Sequence, residues 1–354
     1  MVLPGILEIR SSIDAELASF THIRAGEIKA IDDHLNPVTQ ALTEYVLEGG
    51  KRFRPVFAYL GYLGAGATPA ISPLKACAAL ELVHVCALIH DDVMDGSDSR
   101  RNKPALHRRF EKFHQENSYV GSSERFGVAA AILLGDLALS WSDQMISESG
   151  LDDKQIRRSL PIFHEMRSEL MAGQYLDVLE GALGKSDLNR SRKIARYKSG
   201  RYSIERPLRF GAALANASQS LQEALSSFGL PLGEAFQLRD DILGVFGETE
   251  VTGKPSGDDI REGKRTVLIA MTSERTSPQG RAKIESSLGN PELSSSQVAE
   301  IQSLIEDSGA LSECESLIET LLAQSLEALG HPEMNQEVAQ SLSEMALAAT
   351  RRKS

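Results

Sequence analysis

The chain has 354 residues, 42% hydrophobic and 25% charged, which excludes a disordered polymer and allows one large core. A formal net charge of −11 argues against a non-specific nucleic-acid binder. Cys77, Cys86 and Cys314 have no metal-ligand spacing, and no unbroken apolar run is long enough for a bilayer, so a cytoplasmic protein without a transmembrane segment is expected.

Helical periodicity dominates and strand alternation is almost absent, which predicts an all-α chain. Helices are predicted over roughly 11–33, 35–48 and 53–65. Between the last two, GGKRFRP sets Lys51, Arg52 and Arg54 at a glycine turn before a helix, an arrangement suited to an anion or to a solvated basic turn.

The next predicted helix, roughly 71–95, ends its apolar run ALELVHVCALI in Asp91, Asp92 and Asp95, with Arg100 and Arg101 just beyond. Positions i and i+4 share a helix face, so Asp91 and Asp95 project together and Asp92 points elsewhere. Stacked carboxylates repel unless a cation sits between them, and Mg²⁺ accepts carboxylate and phosphate oxygens together. A solvated acidic helix end is the alternative.

Residues 96–125 are polar and basic and are expected to be a loop. Helices follow over roughly 126–149, 153–182 and 187–216, the last carrying Lys198 and Ser199. A helix over roughly 218–247 ends in FQLRDDILGVFG, with Gln237, the pair Asp240 and Asp241, and Gly244 where a third carboxylate would fall. A second loop, 248–261, carries Lys254, and Lys264 follows. GKP lacks the rest of a phosphate-loop pattern. Helices are predicted over roughly 262–275, 296–308, 310–329 and 332–350, with 274–297 as a surface connection. Two acidic clusters and several separate cations suit two diphosphates held together.

These motifs, in this order over residues 49–266, resemble the trans-isoprenyl diphosphate synthases, or polyprenyl synthetases. LLGDLALSWSDQM and LRDDILGVFG are similar to the geranylgeranyl diphosphate synthases of actinobacteria. The resemblance implies a single isoprenoid synthase domain over 1–354, about ten to thirteen helices around a central cavity, with a helical C-terminal region 267–354. It also implies a cytoplasmic homodimer that condenses an allylic diphosphate with isopentenyl diphosphate head to tail, using three Mg²⁺ ions for which Mn²⁺ substitutes. Asp91, Asp92, Asp95, Asp240 and Asp241 would hold the metals. Arg100, Lys198, Ser199, Gln237, Lys254 and Lys264 would take the allylic diphosphate, and Lys51, Arg54, His84 and Arg101 the isopentenyl diphosphate. His90 is expected to be structural.

One turn below Asp91 lie Cys86 and Ala87, both small, which favours growth to a C20 product over C15, with longer products as the alternative. Trp141 is a candidate floor or a core residue. A terpene cyclase shares the first acidic cluster but handles one diphosphate. A His-Asp phosphohydrolase would need further ligands, and a regulatory subunit would be expected to lose one acidic cluster.

Overall fold

The protein is described by a computed structural model over residues 3–48, 50–247 and 256–351. Among the described residues it is all-α but for a two-residue-per-strand hairpin, Ser99–Arg100 against Lys103–Pro104. The helices are α1 Ile6–Lys29, α2 Asn36–Leu47, α3 Phe53–Gly64, α4 Ile71–Met94, α5 Leu106–Glu116, α6 Ser123–Ser147, α7 Asp153–Leu183, α8 Leu188–Ile194, α9 Arg206–Leu214, α10 Gln219–Phe246, α11 Asp258–Arg261, α12 Val267–Arg275, α13 Pro278–Ser287, α14 Ser295–Asp307, α15 Ala310–Glu327 and α16 Gln336–Thr350.

Local chemistry explains the boundaries. Asp152 and Gln155 form a capping box that starts α7, and Ser122 and Ser218 cap α6 and α10 through their hydroxyls. The predicted first helix is displaced by several residues, because α1 stops before a short turn that Asp32 caps at His34 N. Three helices were not predicted, and the shortest, α11, falls within the loop expected over 248–261. In α5, LHRRFEKFHQE, the buried Leu106, Phe110 and His114 repeat at helical spacing but are masked by charge. In α13, Ser277 supplies the cap and Pro278 the first turn, while Ile284 is the only large apolar side chain buried.

The predicted helix 187–216 is divided. Residues Ala195–Glu205 form a wider turn with i→i+5 hydrogen bonds between α8 and α9. This changes which side chains face the centre of the molecule, and Lys198, Ser199 and Tyr202 lie in it.

Helix α4 is the buried axis; fourteen of its side chains are buried, Asp92 among them. Its apolar residues join α1–α3, α6, α7 and α9 in one cluster. A second cluster is built from the end of α10 and α12–α15. The acidic ends of α4 and α10 line one cavity. Cys77, Cys86 and Cys314 are buried and free. By length and composition, α4 and α6 are long and apolar enough to cross a membrane, a correction to the search for unbroken runs. Alanine, glycine and single polar residues interrupt the runs without lowering the average. Of those apolar windows, 67% of the α4 residues are buried in the protein, against 39% for α6.

Candidate active site

Asp91, Arg100, Lys198, Ser199, Gln237, Asp240, Asp241, Lys264 and Lys51 line one cavity of about 620 Å³. The two acidic helix ends therefore open into a shared cleft, with Leu88 as part of its apolar wall. Lys254 lies outside the described residues.

Lys198 Nζ donates to Asp91 Oδ1 at 3.0 Å and to Asp177 Oδ2 at 2.6 Å. Gln174 Nε2 donates to the same Asp91 oxygen at 2.9 Å. Burial works against the Asp91 charge, but Lys198, Arg100 and Lys264 outweigh it and hold the carboxyl below its ordinary value. The Lys198 ammonium is raised for the reciprocal reason: burial opposes it, and Asp91 and Asp177 more than compensate. The approach of α7 is close. A Cβ at Gly173 would lie 2.4 Å from the Lys198 backbone nitrogen, so only glycine admits the crossing that brings Gln174 and Asp177 to the cavity.

Asp92 stands apart from the cavity. It is 1% exposed, lies off the cavity lining, and accepts from Arg100 Nε at 2.8 Å. Its position one residue after Asp91 turns it away from the shared face. Asp95 is exposed at the mouth. Partial desolvation and repulsion from Asp91 push its carboxyl up to about 6.

Across the cavity, Asp241 is buried; it accepts from Gln237 Nε2 at 2.8 Å and from the Val267 amide at 3.2 Å. Burial, with Asp259 and Asp240 nearby, pushes it up to about 7. Lys264 Nζ donates to Asp259 Oδ1 at 3.2 Å and to Glu262 at 2.6 Å. Position 244 has an explanation: a Cβ there would lie 1.9 Å from Asp259 Oδ2. The Asp259 carboxylate occupies the space that a third side chain of the second cluster would need.

The hairpin divides the two arginines. Arg100 turns toward Asp91 and Asp92, while Arg101, at a left-handed φ of 54°, donates to the Glu48 carbonyl at 2.7 Å. Arg54 NH2 donates to Ser203 Oγ at 2.7 Å, and its buried Nε has no hydrogen-bond partner among the described residues. His84 lies near Arg54, Arg101 and Arg100, and burial with these charges drives its pKa well below the ordinary value. Arg52, by contrast, is consumed by structure: its guanidinium binds Asp14, Glu81 and the Val46 carbonyl. His90 is structural too, packed on Gly135 with Nε2 donating to the Ile132 carbonyl at 3.1 Å.

Cys86 is buried beside His90 and Ala87 is half-buried against the core; neither lines the 620 Å³ cavity. Trp141 packs edge-on to Phe20 at 6.3 Å, in the core. Reasoning from sequence missed Gln174, Asp177 and Asp259. The run GQYLD at 173–177 held the one usable signal, a glycine followed by polar groups three residues apart.

Among the described residues, no three His, Cys, Asp or Glu side chains converge closely enough to hold a metal ion. The donor set still fits Mg²⁺ with diphosphate. Hard carboxylate oxygens face one another across a cavity rimmed by cations, and substrate oxygens would complete the coordination.

The polyprenyl synthetase family model matches residues 36–306. A geranylgeranyl pyrophosphate synthase from Corynebacterium glutamicum, solved with isoprenyl diphosphate and magnesium, is 38% identical over 98% of this chain and 99% of that one, with a TM-score of 0.94. A geranylfarnesyl diphosphate synthase from Aeropyrum pernix is 31% identical, covering 86% and 87% of the two chains. A (2E,6E)-farnesyl diphosphate synthase from Mycobacterium tuberculosis is 30% identical, covering 79% and 75%. With two acidic helix ends and a ring of cations about one cleft, the chain belongs to the polyprenyl synthetase family of trans-prenyl diphosphate synthases.

Proposed function

We propose that the chain is a Mg²⁺-dependent geranylgeranyl diphosphate synthase that adds isopentenyl diphosphate to allylic diphosphates up to C20. The observation that carries this reading is the shared cavity between Asp91 and Asp240. Asp91 and Asp95 on one side, with Asp240 and Asp241 on the other, would hold the metal, and Asp92 orients Arg100 instead of coordinating. When bound, the magnesium neutralises diphosphate charge and so favours C–O cleavage.

The chain's own groups do the rest. Lys198, Lys264 and Arg100 are fixed by carboxylates and are positioned to face the leaving diphosphate, with Ser199 and Gln237 beside them. Fixed cations stabilise the charge that develops there without reorganising. Lys51, Arg54, His84 and Arg101 hold the second diphosphate so that the isopentenyl double bond meets the allylic cation. The apolar wall excludes water from that cation. The released diphosphate is the base for the proton lost from the product.

Labelled isopentenyl diphosphate with farnesyl diphosphate and Mg²⁺ is expected to give a C20 alcohol after phosphatase treatment and chromatography. A C15 or C25 main product from the full set of starters contradicts the assignment of length. Cys86 and Ala87 are small, and Ala87→Phe is expected to move the main product to C15; an unchanged spectrum places the elongation path elsewhere.

Because no three carboxylates converge among the described residues, Mg²⁺ alone is expected to bind weakly, and a diphosphate is expected to tighten it at least tenfold. Affinity should rise from pH 6 to pH 8, since protons on Asp95 and Asp241 compete with the metal. The unfolded chain releases those protons near pH 4. The folded chain therefore binds more protons between about 4 and 7, and these two groups lower apo stability as pH rises through that window. Calorimetric titration at three pH values, with and without inorganic diphosphate, checks both effects; pH-independent binding contradicts them.

We also propose a homodimer. The exposed apolar side chains of Leu133 on α6 and of Met171 and Tyr175 on α7 support this reading, and a solution mass of one chain would contradict it.

A further inference from the structure

Two members of the proposed isopentenyl diphosphate site are held by a side chain that no step above uses. Tyr202 lies in the widened turn Ala195–Glu205 and is 4% exposed. Its hydroxyl lies 2.5 Å from His84 Nδ1. The Arg54 guanidinium stacks over its ring at 4.1 Å, and the neighbouring Ser203 accepts from the same guanidinium.

We propose that Tyr202 is a positioning residue: its hydroxyl donates to His84 Nδ1, which leaves the proton on Nε2, and its ring fixes the plane of Arg54, so that both donors face the isopentenyl diphosphate. The direction of the hydrogen bond follows from counting partners. Among the described residues the Tyr202 hydroxyl has one hydrogen-bond partner, His84 Nδ1. Were it to accept from an Nδ1–H, its own proton would be buried without an acceptor, at a cost of about 1–3 kcal/mol. Donation satisfies both atoms. Burial raises the phenol above its ordinary range, so the hydroxyl keeps its proton.

The tautomer matters because the ring is neutral. Burial and the charges of Arg54, Arg101, Arg100 and Arg52 disfavour the imidazolium. A neutral imidazole offers a single N–H, and only its placement on Nε2 gives an anion a donor. Among the described residues Nε2 has no protein partner, so it is available to a ligand. The inference rests on the assignment of Lys51, Arg54, His84 and Arg101 to isopentenyl diphosphate.

Tyr202→Phe keeps the ring and removes the hydroxyl. Its KM for isopentenyl diphosphate is expected to rise about fivefold, with the allylic KM unchanged and Tm lowered by only a few degrees. In His84→Gln, whose amide always presents a donor, adding Tyr202→Phe should leave KM unchanged. Nitrogen NMR of histidine-labelled protein gives a readout apart from activity; the His84 signals are identified by their loss in His84→Gln. His84 should carry its proton on Nε2 alone in the wild type and as a tautomer mixture in Tyr202→Phe. An Nδ1-protonated wild type, an unchanged KM, or equal rises for both substrates overturns the proposal. A wild type that does not saturate with isopentenyl diphosphate overturns the substrate assignment, while the NMR result still decides the hydrogen bond.

Discussion

Asp91→Asn should lower kcat by about 10³-fold or more while leaving the fold intact. Asp91 is the carboxylate most engaged by the cavity's polar groups: Lys198 and Gln174 both donate to it, and Arg100 lies 3.5 Å from its second oxygen. Removing its charge takes away a metal ligand and the counter-charge that sets Lys198 at once. Lys198 keeps Asp177, so no unpaired buried cation remains and the melting temperature should change little. Steady-state kinetics with both diphosphates, alongside a thermal melt, test this. Activity within tenfold of wild type would show that the α4 carboxylate does not serve the reaction.

The second large effect is on stability. Helices α3 and α9 cross in contact at Gly61 and Gly211. A Cβ at position 211 would sit 1.6 Å from the Ala58 carbonyl oxygen, a backbone atom that no rotamer change can move. Gly211→Ala is therefore expected to cost about 3 kcal/mol and to lower Tm by several degrees. The same crossing sets the spacing between the start of α3, with Lys51 and Arg54, and the chain leading from Lys198 into α9. The surviving folded fraction should accordingly show a raised KM for isopentenyl diphosphate. Chemical denaturation measures the first effect and initial rates the second; a change below 1 kcal/mol would mean that the helices separate easily.

The legible part of this molecule was the part written locally. Helices with unbroken apolar periodicity, α3, α4 and α10, fell within a residue or two of expectation, and both acidic clusters declared themselves by spacing at helix ends. Helix α5 escaped because its buried Leu106, Phe110 and His114 are separated by Arg, Glu and Lys. Helix α13 escaped because little besides Ile284 anchors it. The widened turn carrying Lys198 and Tyr202 has no local signature. It goes with close contacts at Gly173 and Gly200, which depend on where α7 and α10 pack.

Gln174, Asp177 and Asp259 illustrate the same limit at the site. Gln174 reaches Asp91 across 83 positions of sequence, so its role exists only once α7 lies against α4. Asp259 fills the space beside Gly244, and the apparent gap in the second cluster could be understood only with that carboxylate in view. Asp92 combines the two cases: its angular offset from Asp91 was available from helix geometry, whereas its pairing with Arg100 exists only once the hairpin folds back.

The central claim is that carboxylates from the two acidic helix ends hold metal together with a diphosphate in one cleft. The direct measurement is a crystal structure with Mn²⁺ and a non-ionisable thio-analogue of an allylic diphosphate, with data collected at the manganese edge. Anomalous peaks bridging the analogue to Asp91 and to Asp240 are the predicted result. Peaks absent from the cleft, or confined to one helix end with the diphosphate bound elsewhere, would contradict it.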